Sequence, residues 1–341
     1  MPRSNVFNAV ASTTILSLMA AAVLYQNSIK AAFNPIYQAW EGTRLAQVLC
    51  FAGYLAMPEP GPGVILLSAL NVWAPPREAW SWLMATLPDS VRGCVIVTTT
   101  FIVLYWGNGL LILALDRYLP ESMDRFRIQK KVTKHSRPPY DKLIKTLLVN
   151  TAIVPVVLLA MGKALDLSNP ETLAIPGPFE MFLSTLANVI VNEILFFYGH
   201  WAFHANKFLY GRVHKIHHEF KSPIALAALY CHPIELVVSD FLPLGLGVLF
   251  FNHNVYQFTV YAAFSVLGTQ THHCGFRWPW IASHGNQPDF HDFHHYYFSC
   301  NYGNIGFLDA LHGTAIDPRK KDVPTKGVKD STAASKAAKA A

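Results

Sequence analysis

Residues 93–115 form a run of 23 amino acids without a charge. Inside a bilayer no water pairs with the backbone, so such a segment has to satisfy its own amides, and a spanning helix does so. At 1.5 Å per residue it reaches roughly 34 Å, enough for a hydrocarbon core of about 30 Å. Apolar runs recur at 146–165, 178–199, 234–251 and 255–270. They explain why only 14% of the residues are charged, against about 25% in a typical soluble domain. The expected fold is all-α, a polytopic bundle of membrane helices.

The charges between the runs set the topology. Nine Lys or Arg stand between 117 and 145, which places this loop in the cytosol by the positive-inside rule. Residues 166–177 carry no Lys or Arg and form the far-side turn. The runs 146–165 and 178–199 therefore make a hairpin, and His200 emerges on the side of the basic loop. Lys207, Arg212, Lys215 and Lys221 agree with that side. A second hairpin turns at Asn252, His253 and Asn254 and returns to the same face at His272 and His273. The net charge of +6 is thus spread over loops and a tail, a pattern of cytosolic segments rather than of a nucleic-acid surface.

The remaining stretches are less constrained. Residues 7–25 read as a retained anchor, since further spans follow and no small-x-small cleavage site stands out. Residues 46–57 and 64–73 are apolar, but the Pro- and Gly-rich stretch 58–63 splits them into halves too short to span. They read as a broken or interfacial pair, with Trp73, Trp80 and Trp82 at the interface. The five cysteines form no CxxC and read as small buried apolar residues rather than a disulfide framework. The expected division is 1–92 as a membrane-associated region and 93–190 as the transmembrane scaffold. Residues 191–317 form the catalytic domain, and 318–341 a disordered basic tail.

Histidines gather at the face so defined, and the topology argument used none of them. His200 and His204 are spaced i, i+4. His214, His217 and His218 are spaced i, i+3, i+4, and so are His291, His294 and His295. On a helix each set lies on one face, so the imidazoles of a set are expected to converge on one point. Eight such nitrogens exceed the four ligands of a structural zinc ion, and two metals follow. Neutral imidazole suits Fe, Zn, Cu and Ni. His232 and His273 lie at the same face and are further candidate ligands. His272, His284 and His312, and the loop histidines His135 and His253, read as structural. Glu193, two turns before His200 on the same helix face, is a candidate to orient a ligand. Asp292 either bonds a ligating imidazole or caps its helix. No general acid or base stands out. A zinc site this rich would leave no open position. A pair of irons could take O2 and two electrons and attack an unactivated C–H bond. The membrane boundary supplies the water-poor pocket such chemistry needs, into which a lipid can slide.

These residues resemble the fatty acid hydroxylase superfamily of membrane di-iron oxygenases, over about 190–315. The resemblance rests on His214-Lys-Ile-His-His-Glu-Phe220, His232-Pro-Ile-Glu235, His273-Cys-Gly275 and His291-Asp-Phe-His-His295. It rests also on Asn301-Tyr-Gly303 continuing through Asp309 to Gly313-Thr314. The motifs look like the C4-methyl sterol oxidase group, and more so like its fatty acid hydroxylase domain-containing relatives. The resemblance implies iron ligands at 200, 204, 214, 217, 218, 291, 294 and 295, with 232 and 273 as additions. It implies two iron ions and O2, with electrons from NAD(P)H through cytochrome b5 or its reductase. It also implies residence in the endoplasmic reticulum membrane with the active site on the cytosolic face. One position departs: where many members have a further histidine, this chain has Arg277, so that site has one ligand fewer or another histidine such as His272 serves. The expected activity is hydroxylation or oxidation of a methyl group of a sterol or related lipid. The alternatives are a hydroxylase or desaturase of fatty acyl or sphingoid chains and, in other classes, a histidine-rich metal transporter or a non-catalytic scaffold. A transporter would place its ligands near mid-membrane on broken helices.

Overall fold

The computed structural model describes residues 5–41, 43–55, 69–74, 76–130, 137–164, 173–251, 254–278 and 287–317. His135, His253, His284, the 58–63 break and the tail from 318 lie outside them, as do residues 252–253 and most of the far-side turn. Among the described residues there is no strand, and one isolated bridge joins Arg127 to Phe276. The longer helices are α1 Asn5–Leu24, α2 Gln26–Trp40, α3 Arg44–Leu55, α4 Arg77–Thr86, α5 Arg92–Tyr118, α6 Tyr140–Ala164, α7 Pro178–Ala205, α8 Leu242–Phe251, α9 Val255–His273 and α10 Asp289–Tyr297. Three segments, Arg92–Tyr118, Tyr140–Met161 and Pro178–Ala205, are long and apolar enough to cross a membrane.

α7 positions the site. It starts at Pro178, where the missing N–H costs nothing, and runs six residues beyond the apolar stretch read from the sequence. His200 and His204 thus ride its last turns. The chain reverses at Asn206, whose Oδ1 accepts from the amides of Phe208 and Leu209 at 2.9 and 3.1 Å and opens the next short helix.

Between that helix and α8 the backbone is irregular, and its carbonyls need donors from elsewhere. The spans supply them. Tyr105 of α5 donates its hydroxyl to the Leu226 carbonyl at 2.6 Å. Asn150 of α6 donates to the carbonyls of Leu229 and Cys231 at 2.7 and 2.9 Å. The approach is close enough that a Cβ on Gly109 would stand 2.4 Å from Leu226 Cδ2. α5 packs along α9 and α6, and α8 along α7. Gln270 of α9 ties into α5 by donating to the Tyr105 carbonyl at 2.7 Å and accepting from Asn108 at 2.8 Å.

The run 234–251 is not the continuous span expected. A short turn Pro233–Glu235 leads into a π-helix, Leu236–Phe241, before α8 begins. Pro243 has no N–H to give back to the preceding turn, and Glu235, Ser239 and Asp240 make that turn polar. The described part of the basic loop packs against the segment after α9. Arg277 N donates to the Phe126 carbonyl at 2.7 Å, and Ile128 N to that of Gly275 at 3.0 Å.

Candidate metal centre

The histidines form two groups, each with its ligand atoms within 4.8 Å of one another. The first holds His200, His204, His214, His218 and His294, and the second His217, His273, His291 and His295. The groups share a wall, with the His217 and His218 rings 5.6 Å apart and those of His294 and His295 5.9 Å apart.

This partition corrects the expectation that each HxxHH set meets at one point. Neighbouring residues on a helix diverge by about 100°. On α10, His294 therefore leans to one side of His291 and His295 to the other. His294 joins the first group, and His291 and His295 the second. The 214–218 set, on a 3-10 helix, divides in the same 2:1 manner, with His217 in the second group. Each HxxHH feeds both groups.

The hydrogen bonds show what the groups are built to hold. The Nδ1 of His200 faces the Tyr302 carbonyl at 2.7 Å, that of His214 faces Glu235 Oε1 at 2.6 Å, and that of His294 faces the Cys300 carbonyl at 2.6 Å. In the second group, Nδ1 of His217, His273 and His295 faces the carbonyls of Tyr230, Thr269 and Phe220 at 3.2, 2.7 and 2.9 Å. An acceptor there fixes the proton on Nδ1, which leaves Nε2 as a bare lone pair. Those lone pairs point at each other. His214 Nε2 stands 3.2, 2.8 and 2.9 Å from the Nε2 atoms of His200, His204 and His218. His273 Nε2 stands 3.2 and 3.0 Å from those of His217 and His291. A nitrogen has one lone pair or one proton and cannot satisfy several such neighbours. Convergent bare nitrogens repel unless a cation lies among them, and His294 Nε2 is buried without a partner. The residues fit a metal ion in each group.

Burial keeps these imidazoles neutral. It lowers the pKa of His214 to about 3 and that of His217 to about 4. It lowers those of His218, His291, His294 and His295 as well, with neighbouring imidazoles adding to the effect. Because the folded values lie below about 6.5 for free imidazole, the unfolded chain binds more protons as pH falls past 6.5. Acid therefore weakens the folded state and competes with metal only below that point. Metal release on acid titration, followed by metal analysis after desalting, is expected with a midpoint clearly below pH 6.5. Release centred at 6.5 would mean solvated histidines.

Other candidates are placed differently. Glu193 touches no imidazole. Its buried carboxylate accepts from the amides of Asn304, Ile305 and Gly306 at 2.7, 3.0 and 3.3 Å, and so braces the loop that presents the Tyr302 carbonyl to His200. Asp292 neither bonds an imidazole nor caps α10; it accepts from Gln129 at 2.8 Å and so ties α10 to the basic loop, and burial raises its pKa to about 7. His232 lies outside both groups, its Nδ1 accepting from the Ile234 amide at 3.1 Å as a helix cap. Arg277 clamps Asp289 at the start of α10, Nε to Oδ1 at 2.7 Å, and the second group has four histidines against five. The His272 ring stands 5.8 Å from that of His291, outside the group. His312 is structural as expected, bonded to Tyr198 and Asn8 at 3.0 Å each. The five cysteines are free, and Cys300 serves through its carbonyl.

The sequence reading missed Glu235 as the partner of His214. A carboxyl opening an apolar run beside a histidine cluster was the available signal. The 301–314 motif is a frame for carbonyls. Asp309 accepts from the amides of Tyr302 and Gly303 at 2.8 and 2.7 Å and from Thr314 Oγ1 at 2.6 Å. Asn301, at φ 58, donates to the Phe290 and Ile316 carbonyls at 3.0 Å each.

A helical scaffold with three helices able to cross a membrane and two adjoining polyhistidine groups defines a polytopic membrane protein with a histidine-rich site able to hold metal. The fatty acid hydroxylase family model matches residues 185–314 of this chain. Fatty acid hydroxylase domain-containing protein 2 of Homo sapiens is 36% identical over 217 residues, 62% of this chain and 63% of the relative. The chain thus spans less than two thirds of that relative's length. The very-long-chain aldehyde decarbonylase GL1-11 of Oryza sativa subsp. indica is 26% identical over 254 residues, covering 71% of this chain and 92% of the relative. Methylsterol monooxygenase 2-2 of Arabidopsis thaliana is 26% identical over 249 residues, 70% of this chain and 91% of the relative. No solved structure matches.

Proposed function

We propose that this protein is a membrane lipid oxygenase with one iron in each histidine group. In this reading it uses O2 to hydroxylate or oxidise an unactivated C–H bond, a methyl group of a sterol or related lipid. The observation that carries the reading is the convergence of bare Nε2 lone pairs in two adjoining buried groups, with six Nδ1 protons held by outside acceptors. Iron pairs ligated in this way supply O2 activation and a two-electron oxidation. The protein's own residues hold the imidazoles in one tautomer, exclude water, and bring a lipid beside the histidines from the bilayer. Electrons come from NAD(P)H through cytochrome b5 or its reductase, and the active site faces the cytosol from the endoplasmic reticulum membrane. The methylsterol monooxygenase relative supports the sterol reading. Fatty acid hydroxylase ahd1 of Mycosarcoma maydis, 30% identical over 216 residues, 60% of this chain and 53% of the relative, supports the same chemistry on a fatty acyl chain instead.

Metal content per chain tests the centre. Protein purified after expression in iron-replete medium is expected to hold about two irons. One metal or none in folded protein would overturn the dinuclear reading. Sterol and lipid profiling of cells lacking the protein then separates the sterol from the acyl substrate by which precursor accumulates.

A further inference from the structure

A cavity of about 190 Å3 lies between α5, α7, α8 and α9, the helices α7 and α9 that line it also carrying His200, His204 and His273. Phe101, Leu229, Phe241, Leu244 and Phe264 give it an apolar wall. Asn192, Glu193, Ser239, Asp240, His272 and Asn304 give it a polar one. His272 adjoins His273 of the second group. Ser239 lies against the turn that carries His200, since a Cβ on Gly199 would stand 3.8 Å from Ser239 Oγ.

Ser239 differs from the other hydroxyls of the bundle. Ser184, Thr185, Thr259 and Thr271 each return their hydroxyl to the carbonyl four residues earlier, at 2.7 to 2.8 Å, the usual solution for a buried helical hydroxyl. Ser239 sits in the π-helix, is 3% exposed, and its Oγ has no hydrogen-bond partner. A buried hydroxyl without a partner is costly, and π turns recur at functional sites. The same turn follows directly on Glu235, which holds His214, so the hydroxyl is fixed relative to the first group.

Charge narrows what would meet it. No Lys or Arg lines the cavity, and two carboxyl side chains do. A fatty acid carboxylate would find no Lys or Arg there to pair with, in either protonation state of those carboxyls. An alcohol can donate to or accept from Ser239 and pack its hydrocarbon on the apolar wall. Resting on the lipid-oxygenase reading above, we propose that the cavity takes an uncharged lipid alcohol, with Ser239 Oγ as the partner of its hydroxyl and the residue that sets this specificity.

Equilibrium binding to the purified full-length protein tests this without turnover. The probes are radiolabelled 1-hexadecanol, hexadecane and hexadecanoate, together with 5α-cholestan-3β-ol and 5α-cholestane. At least one alcohol is expected to bind about tenfold or more tighter than the hydrocarbon of the same body, because a site built around a hydroxyl partner disfavours the analogue lacking it. Hexadecanoate is expected to bind more weakly than 1-hexadecanol. Ser239→Ala should abolish the preference and leave hydrocarbon affinity unchanged. Equal binding of alcohol and hydrocarbon by the wild type, a preference for hexadecanoate, or an intact preference in Ser239→Ala would overturn the Ser239 assignment alone. Binding of none of the five would overturn the lipid reading and the assignment with it. The wild-type ratios need no variant, so a folding defect in Ser239→Ala does not shelter the proposal.

Discussion

His217→Ala is expected to lower the metal content from two ions per chain to about one, and His218→Ala, one residue on, to remove the other ion. The two imidazoles are neighbours in sequence and belong to different groups. Double variants give the sharper result. His217→Ala with His273→Ala strikes one group twice and should leave one ion. His217→Ala with His218→Ala strikes both and should leave none. If each HxxHH set served one metal, the second pair would retain an ion and the partition would be wrong. Oxygenase activity should fall in every one of these variants by more than about 100-fold, beyond the roughly 10–100-fold that the partners of ligands command. Full activity in folded His217→Ala would remove that residue from the centre. Retained elution as a monodisperse species in detergent separates metal loss from unfolding.

Much of this architecture was legible before any coordinates. Apolar runs long enough to span announced α5, α6 and α7. Spacing announced a histidine-rich site, since eight imidazoles at i, i+3 and i+4 are more than one metal ion uses, and the structure gathers them in two groups. Spacing did not announce their partition, because a one-dimensional pattern gives the helix face and not the two points toward which residues about 100° apart splay. Nor did it announce the roles of Glu193 and Asp292. Nearness along the chain makes Glu193 a candidate partner of an imidazole and Asp292 either such a partner or a helix cap, whereas the carbonyls of Tyr230, Cys300 and Tyr302 do that work from irregular segments. Backbone acceptors carry no sequence signature, so such contacts appear only when the chain is folded. The π turn at 236–241 was hidden inside the longer, mostly apolar run 234–251, and with it the unpartnered hydroxyl of Ser239.

Glu235→Ala is expected to weaken metal binding in the first group by about 10–100-fold and leave the second group loaded. The imidazoles are neutral, so two divalent ions would bring four positive charges into a buried boundary region, where uncompensated charge is costly. Glu235 is the carboxylate that touches a ligand, through Oε1 and His214 Nδ1 at 2.6 Å, and its other oxygen is buried without a partner. It therefore does two things at once. It holds the proton on Nδ1, so that Nε2 stays bare, and, once a cation in the group offsets the burial that raises its pKa to about 8, it supplies negative charge next to the metal. Glu235→Gln separates them, because the amide oxygen can still accept the Nδ1 proton while the charge is gone. If tautomer control dominates, Gln should behave like the wild type and Ala should not. If charge dominates, Gln should lose nearly as much as Ala. Competitive chelation that resolves the two ions, run on both variants and on His217→Ala as a one-ion reference, reads the difference. Equal loss from both groups in Glu235→Ala would show that the carboxylate acts on the whole centre rather than through His214.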